Sequence, residues 1–189
     1  MRFREMEIPG CYEVHFVAHR DERGFFVKAI HATSFAAHGL KSDFRETFYT
    51  VSEENVLRGM HFQLPPADHA KLVYCVAGSV TDVSLDLRKG SPTFGRHIVV
   101  QLSAEGHNGL YLPSGIAHGF HVRKAPAIMV YHVTSEHAPH LDSGIRWDSF
   151  DAPWQTQSPL LSQRDSALPR LEEFLTPFEI EPSASERRQ

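Results

Sequence analysis

Cysteine is scarce in this chain: Cys11 and Cys75 are the only two thiols in 189 residues. Both fall inside strand-like patterns. That excludes a disulfide scaffold, makes both packing residues and gives the cytoplasm as the expected compartment. Long apolar stretches are missing too. Runs such as Ala127–Tyr131 fall far short of the roughly 20 residues that a membrane span needs, and MRFREMEIPG carries charges where a secretory leader needs an apolar stretch. Positive charge is not clustered: 19 Lys and Arg against 23 Asp and Glu give a net charge of −4. No nucleic-acid or anionic-membrane partner is therefore expected. Repeats and low-complexity linkers are also lacking, so residues 1–180 read as a single domain. The polar stretch 181–189 (EPSASERRQ) has no apolar face and is expected to be a mobile tail.

Histidine is abundant, with 13 residues, which raises metal binding or acid–base chemistry. Strand patterns dominate around these histidines. In Val80–Leu87 (VTDVSLDL), Val83, Leu85 and Leu87 alternate with Asp82, Ser84 and Asp86, the period of a half-buried strand. Similar runs occur at Tyr12–Val17, Phe25–Ile30, Phe44–Ser52, Leu72–Ala77, His97–Leu102, Leu110–Leu112, Gly119–Val122 and Ala127–Thr134. Turn signals separate them, among others at Ala77–Ser79 and Lys124–Pro126. Short helices are expected at Thr33–His38, ended by Gly39, and at Ser166–Leu175, with Pro169 in its first turn. The fold class is mainly β, as a sandwich or barrel.

Two stretches stand out as carriers of chemistry. One is Arg58-Gly59-Met60-His61-Phe62-Gln63, followed by Lys71; the other runs from Pro113 to Phe120. The spacing P-x-G-x-x-H in the second resembles a signature of the cupin superfamily, which implies a jelly-roll barrel. Where a metal-binding cupin has a second histidine and a glutamate, this chain has Gln63 and Lys71. His61 and His118 alone make a poor metal site, so no metal is expected.

A closer resemblance runs from about Gly10 to Asp165. DERGFF (Asp21–Phe26), VLRGMHFQ (Val56–Gln63), KLV (Lys71–Val73), DLRKGSPTFG (Asp86–Gly95), LSAE (Leu102–Glu105) and IAHGF (Ile116–Phe120) occur in the order seen in the dTDP-4-dehydrorhamnose 3,5-epimerase family. The chain resembles these metal-free cupins, which implies a cofactor-free isomerase, a nucleotide-diphosphate 4-keto-6-deoxyhexose as substrate, and a homodimer. The resemblance makes His61 the base, Asp165 its hydrogen-bonding carboxylate, Lys71 the partner of the enolate oxygen, and Tyr131 the acid on the opposite sugar face. Arg23, Phe26, Arg58, Gln63 and His118 are its implied substrate contacts.

Each role has a bland counterpart: a satisfied histidine in a strand, a packing tyrosine, and a helix cap for Asp165. His15, His19, His31, His38, His97, His107, His121, His132, His137 and His140 match no catalytic position and are expected mostly at the surface. Departures from the family fall at Val27-Lys28, at Glu46-Thr47-Phe48-Tyr49-Thr50 and at Glu136-His137. They leave open a CDP-linked substrate, inversion at one carbon only, or a ketoisomerase. A non-catalytic sugar-nucleotide-binding cupin and a metal-dependent cupin oxygenase are the remaining alternatives.

Overall fold

The alternating patterns on either side of Ala77–Ser79, and likewise of Lys124–Pro126, belong to single long strands and not to pairs joined by turns. In the computed structural model, which describes residues 1–180, the chain order begins with β1 (Arg2–Glu5), β2 (Tyr12–His15), β3 (Ala18–Asp21), β4 (Gly24–Val27) and α1 (Ala32–Ala36). It continues with β5 (Glu46–Ser52), β6 (Leu57–Gln63), β7 (Lys71–Asp86), β8 (His97–Ser103) and β9 (Asn108–Leu112). β10 (Ile116–Val133), β11 (Asp142–Gly144), α2 (Gln163–Ser166) and a 3-10 turn at Leu171–Glu173 complete it. The expected tail 181–189 lies outside the described residues.

β7 and β10 pair antiparallel along their whole length and form the spine. The sheet order is β1-β2-β9-β7-β10-β6-β11, with β5 added to β10 and β8 to β7, while β3 and β4 form a separate hairpin. The spine bends where the turn signals lie. Register shifts fall between Val122 and Lys124, Lys124 and Ile128, and Ile128 and Met129, opposite Gly78. Gly78 has φ +70°, and a Cβ there would sit 2.2 Å from the Lys124 carbonyl oxygen. Bulges of this kind let one strand pass from one sheet to the next. The His118 and Tyr131 rings measure the bend: they lie 6.0 Å apart, whereas a straight strand would separate them by about 40 Å.

Val80–Leu87 is buried on both faces, not one. Val83, Leu85 and Leu87 pack against Ile145, Trp154 and Phe178 from the C-terminal segment, which covers that side. The opposite face is buried because its carboxylates are paired: Asp82 with His118, and Asp86 with Arg88, Ser91 and Thr93. A second cluster joins Val73, Cys75, Val80, Leu110, Phe120, Met129 and Tyr131, and it takes in Cys11. Phe35 anchors α1 in a third cluster with Val14, Phe16 and Tyr111.

The helix expected at Ser166–Leu175 is instead α2 and the 3-10 turn, split around Pro169. Proline disfavours helical geometry in the residue before it and offers no N–H. Asp165 is not the cap either; Ser162 is, accepting from the Asp165 N–H. Among the described residues no helix is long and apolar enough to cross a membrane.

The bend gives a stability test. Gly95 also has positive φ, but open space where a Cβ would be, so Gly95→Ala should cost about 1 kcal/mol. Gly78→Ala adds a collision with backbone and should cost at least about twice that. Urea unfolding midpoints check this; equal losses would mean that the close approach at Gly78 does not constrain the spine.

Candidate active site

β6 and α2 are far apart in sequence, yet they meet at the Asp165 carboxylate. His61 Nε2 lies 2.7 Å from Asp165 Oδ1. α2 points the carboxylate inward because its first turn is capped by Ser162, and the Gly59 N–H approaches the other oxygen at 3.4 Å. Burial works to raise the Asp165 pKa, but the hydrogen bond and charge of His61, with the Gly59 and Ser162 contacts, outweigh it and hold the group below the usual carboxylate range. An anionic acceptor at Nε2 makes Nε2–H the donor and leaves Nδ1 as the basic lone pair. The His61 side chain is 31% exposed, and Nδ1 has no hydrogen-bond partner among the described residues.

Lys71 opens β7 beside this pair, its Nζ donating to the His61 carbonyl at 3.3 Å. Burial pushes its ammonium down to about 8, partly offset by the charges of Asp82 and Asp142. Tyr131 sits in register with Val73 on β7 and Phe48 on β5. Its ring stacks on Phe48 at 4.7 Å, and burial raises the phenol pKa well above that of free tyrosine. The phenol therefore holds its proton, and the ammonium holds its charge only by a small margin.

A cavity of about 320 Å³ opens beside His61 and Lys71, a size that suits a small-molecule site; Asp165 lies behind His61 and Tyr131 behind Phe48, neither on the wall itself. Its wall includes His61, Gln63 and Lys71, with Glu46 and Phe48 from β5, His69 from the β6–β7 loop, Ser135 and His137 after β10, and Asp142 and Arg164. Among the described residues no three His, Cys, Asp or Glu side chains converge as a metal site.

The expected contacts are distributed unevenly around this cavity. Gln63 lines it, but its amide is committed to the chain: Nε2 donates to the Ala67 carbonyl at 2.8 Å, and Oε1 accepts from the Ala138 N–H at 2.6 Å. Arg58 is half-buried on β6, donating to Ser52 Oγ and the Val51 carbonyl. His118 does not line the cavity; it is buried with its Nε2 2.6 Å from Asp82. Arg23 and Phe26 stand exposed on the β3–β4 hairpin, away from the cavity wall.

Several wall residues had no expected role. His69 matched no motif; it is half-buried and pushed down to about 3, chiefly by desolvation and then by Lys71, so it stays neutral. His137 is exposed, as expected, and also lines the wall, with its backbone N–H on Glu46 at 2.7 Å. His121, expected at the surface, is instead buried against Asn55. Arg164 pairs with Asp142 at 2.8 Å. Charge near a motif does not reveal such residues; only the paths of the chain bring them together.

The family profile described as dTDP-4-dehydrorhamnose 3,5-epimerase matches residues 5–173. The chain belongs to this family. It is 40% identical over 168 residues to the dTDP-4-dehydrorhamnose 3,5-epimerase of Shigella flexneri, covering 87% of this chain and 93% of that protein. The crystal structure of the Bacillus anthracis dTDP-4-dehydrorhamnose 3,5-epimerase with TDP and PPi bound superposes with a TM-score of 0.87 at 33% identity. That match covers 90% of this chain and 99% of the other. A 3'-monoepimerase from Streptomyces bikiniensis in complex with dTDP-quinovose gives 0.83 at 33% identity, over 88% and 86%. The fold is thus the mainly β, cupin-type jelly roll of the family, with short peripheral helices, and the chain is an enzyme of the epimerase class.

The depressed Lys71 sets a pH test. Because its pKa is lowered from 10.5 to about 8, an activity that needs the ammonium should be lost as pH rises through about 8. The kcat/KM profile reports groups of the free enzyme. Lys71→Arg keeps its charge throughout, so its residual activity should lack that alkaline limb. An unchanged limb in the variant would assign it to another group.

Proposed function

We propose that this protein epimerises a nucleotide-diphosphate-linked 4-keto-6-deoxyhexose, with the dTDP-linked sugar as substrate, in deoxysugar biosynthesis. The observation that carries this reading is that His61, hydrogen-bonded from behind by Asp165, shares one cavity wall with Lys71. Hydrogens at C3 and C5 flank the ketone, so removal of either gives an enolate with its charge on O4. His61 Nδ1 takes the proton, and Asp165 stabilises the imidazolium that results. Lys71 faces the oxyanion and stabilises it more than the ketone, which lowers the barrier. Tyr131 returns a proton to the opposite face. Only protons move, so the reaction calls for no redox cofactor.

Arg58 and His118 complete the site in this reading, Arg58 at the phosphates and His118 by holding the Tyr131 ring edge. Arg23 and Phe26 serve through a homodimer. β5 is an open edge strand with exposed Phe48, Tyr49 and Val51, and the β3–β4 hairpin exposes Phe25 and Phe26. Pairing with a second copy would cover these apolar groups. The cytoplasm is the compartment that accompanies this reading. A second reading, inversion at C3 alone, is favoured by the likeness to the 3'-monoepimerase and uses the same groups.

In deuterated water, His61→Ala should lose both solvent exchange and inversion, by about 10² to 10⁴ in rate. Tyr131→Phe keeps the ring and should still incorporate deuterium at C3 or C5 while forming little inverted product. Proton NMR of the product reads both outcomes. Inversion at normal rates by Tyr131→Phe would require a different acid, and a folded His61→Ala with more than about a tenth of activity would remove His61 as base.

A further inference from the structure

Thr50 lies on β5, two residues from Phe48 and on the same face of the strand. Phe48 stands opposite Tyr131 in the β5–β10 register and Thr50 stands opposite Met129, which makes Thr50 the diagonal neighbour of Tyr131. Its hydroxyl is shut off from solvent and has no hydrogen-bond partner among the described residues. A buried donor left unmatched is costly and calls for an explanation. The group it adjoins supplies one. Burial opposes ionisation of the Tyr131 phenol, and the Thr50 hydroxyl is the first of the groups that favour it, ahead of the charge of Arg58.

We propose that Thr50 is a positioning residue for the reprotonation step, its hydroxyl donating a hydrogen bond to the phenolate that Tyr131 becomes. The proposal rests on Tyr131 as the acid. In that step the phenol O–H bond breaks and a C–H bond forms at the enolate carbon. The enolate electron pair supplies the new bond, the C4 carbonyl is restored, and the negative charge passes to the phenolate oxygen. Thr50 keeps its own proton throughout. A hydrogen bond to a charged group in a buried place counts more than one to the neutral phenol, so the effect falls on the inverting step and not on proton abstraction by His61.

The test is Thr50→Val, which keeps the branched shape and removes the hydroxyl, with Thr50→Ala as a smaller companion and Thr50→Ser as the rescue. In deuterated water, Thr50→Val should form inverted product about tenfold to a hundredfold more slowly, while His61-dependent exchange persists. Thr50→Ser should restore inversion. In the Tyr131→Phe background, Thr50→Val should add no further loss, because its partner is gone. The tyrosinate absorbance that depends on Tyr131 should also appear at higher pH in Thr50→Val. Normal inversion in folded Thr50→Val or Thr50→Ala, beside a blocked Tyr131→Phe, would overturn the role of Thr50 alone. Equal loss of exchange and inversion would also overturn it, by marking a purely structural residue. Normal inversion by Tyr131→Phe would instead overturn the acid itself.

Discussion

The hydrogen bond between His61 and Asp165 ties the chemistry of this protein to the folding of its C-terminal segment. Asp165 can reach β6 only if the chain after β11 returns across the barrel. Trp154 and Phe178 hold it there by packing on Leu57, Met60 and Leu85. The same packing dries the Asp165 carboxylate, which would be costly without a charge-assisted partner. His61, the Gly59 N–H and the Ser162 cap supply that compensation. Orientation of the base and closure of the domain are therefore one event, so damage to the C-terminal apolar cluster should reach the site through Asp165.

Burial without water also governs the other groups. Lys71 retains a charge that its surroundings discourage, whereas Tyr131 and His69 are kept neutral by theirs. Three titratable groups near one cavity thus divide into one charged and two neutral. An ammonium ready for an oxyanion beside a phenol that keeps its proton is the asymmetry that a two-faced proton transfer requires. Asp82 and Asp142 keep Lys71 from losing more, and Asp82 is itself engaged by His118.

The β class was legible because period-two patterns survive wherever a strand has one apolar face. The bends were not. Gly78 and Pro126 signal a turn equally well whether the chain reverses or a strand crosses between sheets, and only pairing across β7 and β10 decides. Alternation in Val80–Leu87 likewise cannot say whether a further layer covers the second face. β6 itself escaped the strand reading, since its burial does not alternate. At the site, His61 and Lys71 were marked by their motifs, and Asp165 and Tyr131 by resemblance alone. Glu46, His69, Asp142 and Arg164 come from separate loops and strands, and no local pattern announces their convergence.

Everything in the site depends on Asp165 fixing His61 with its proton on Nε2 and its lone pair on Nδ1. Ring-nitrogen NMR of selectively labelled protein, at a pH where the imidazole is neutral, measures this without substrate. His61 Nε2 should give a protonated-type signal and Nδ1 an unprotonated-type signal, with the preference weakened in Asp165→Asn. A proton on Nδ1, or a tautomer indifferent to Asp165, would contradict it.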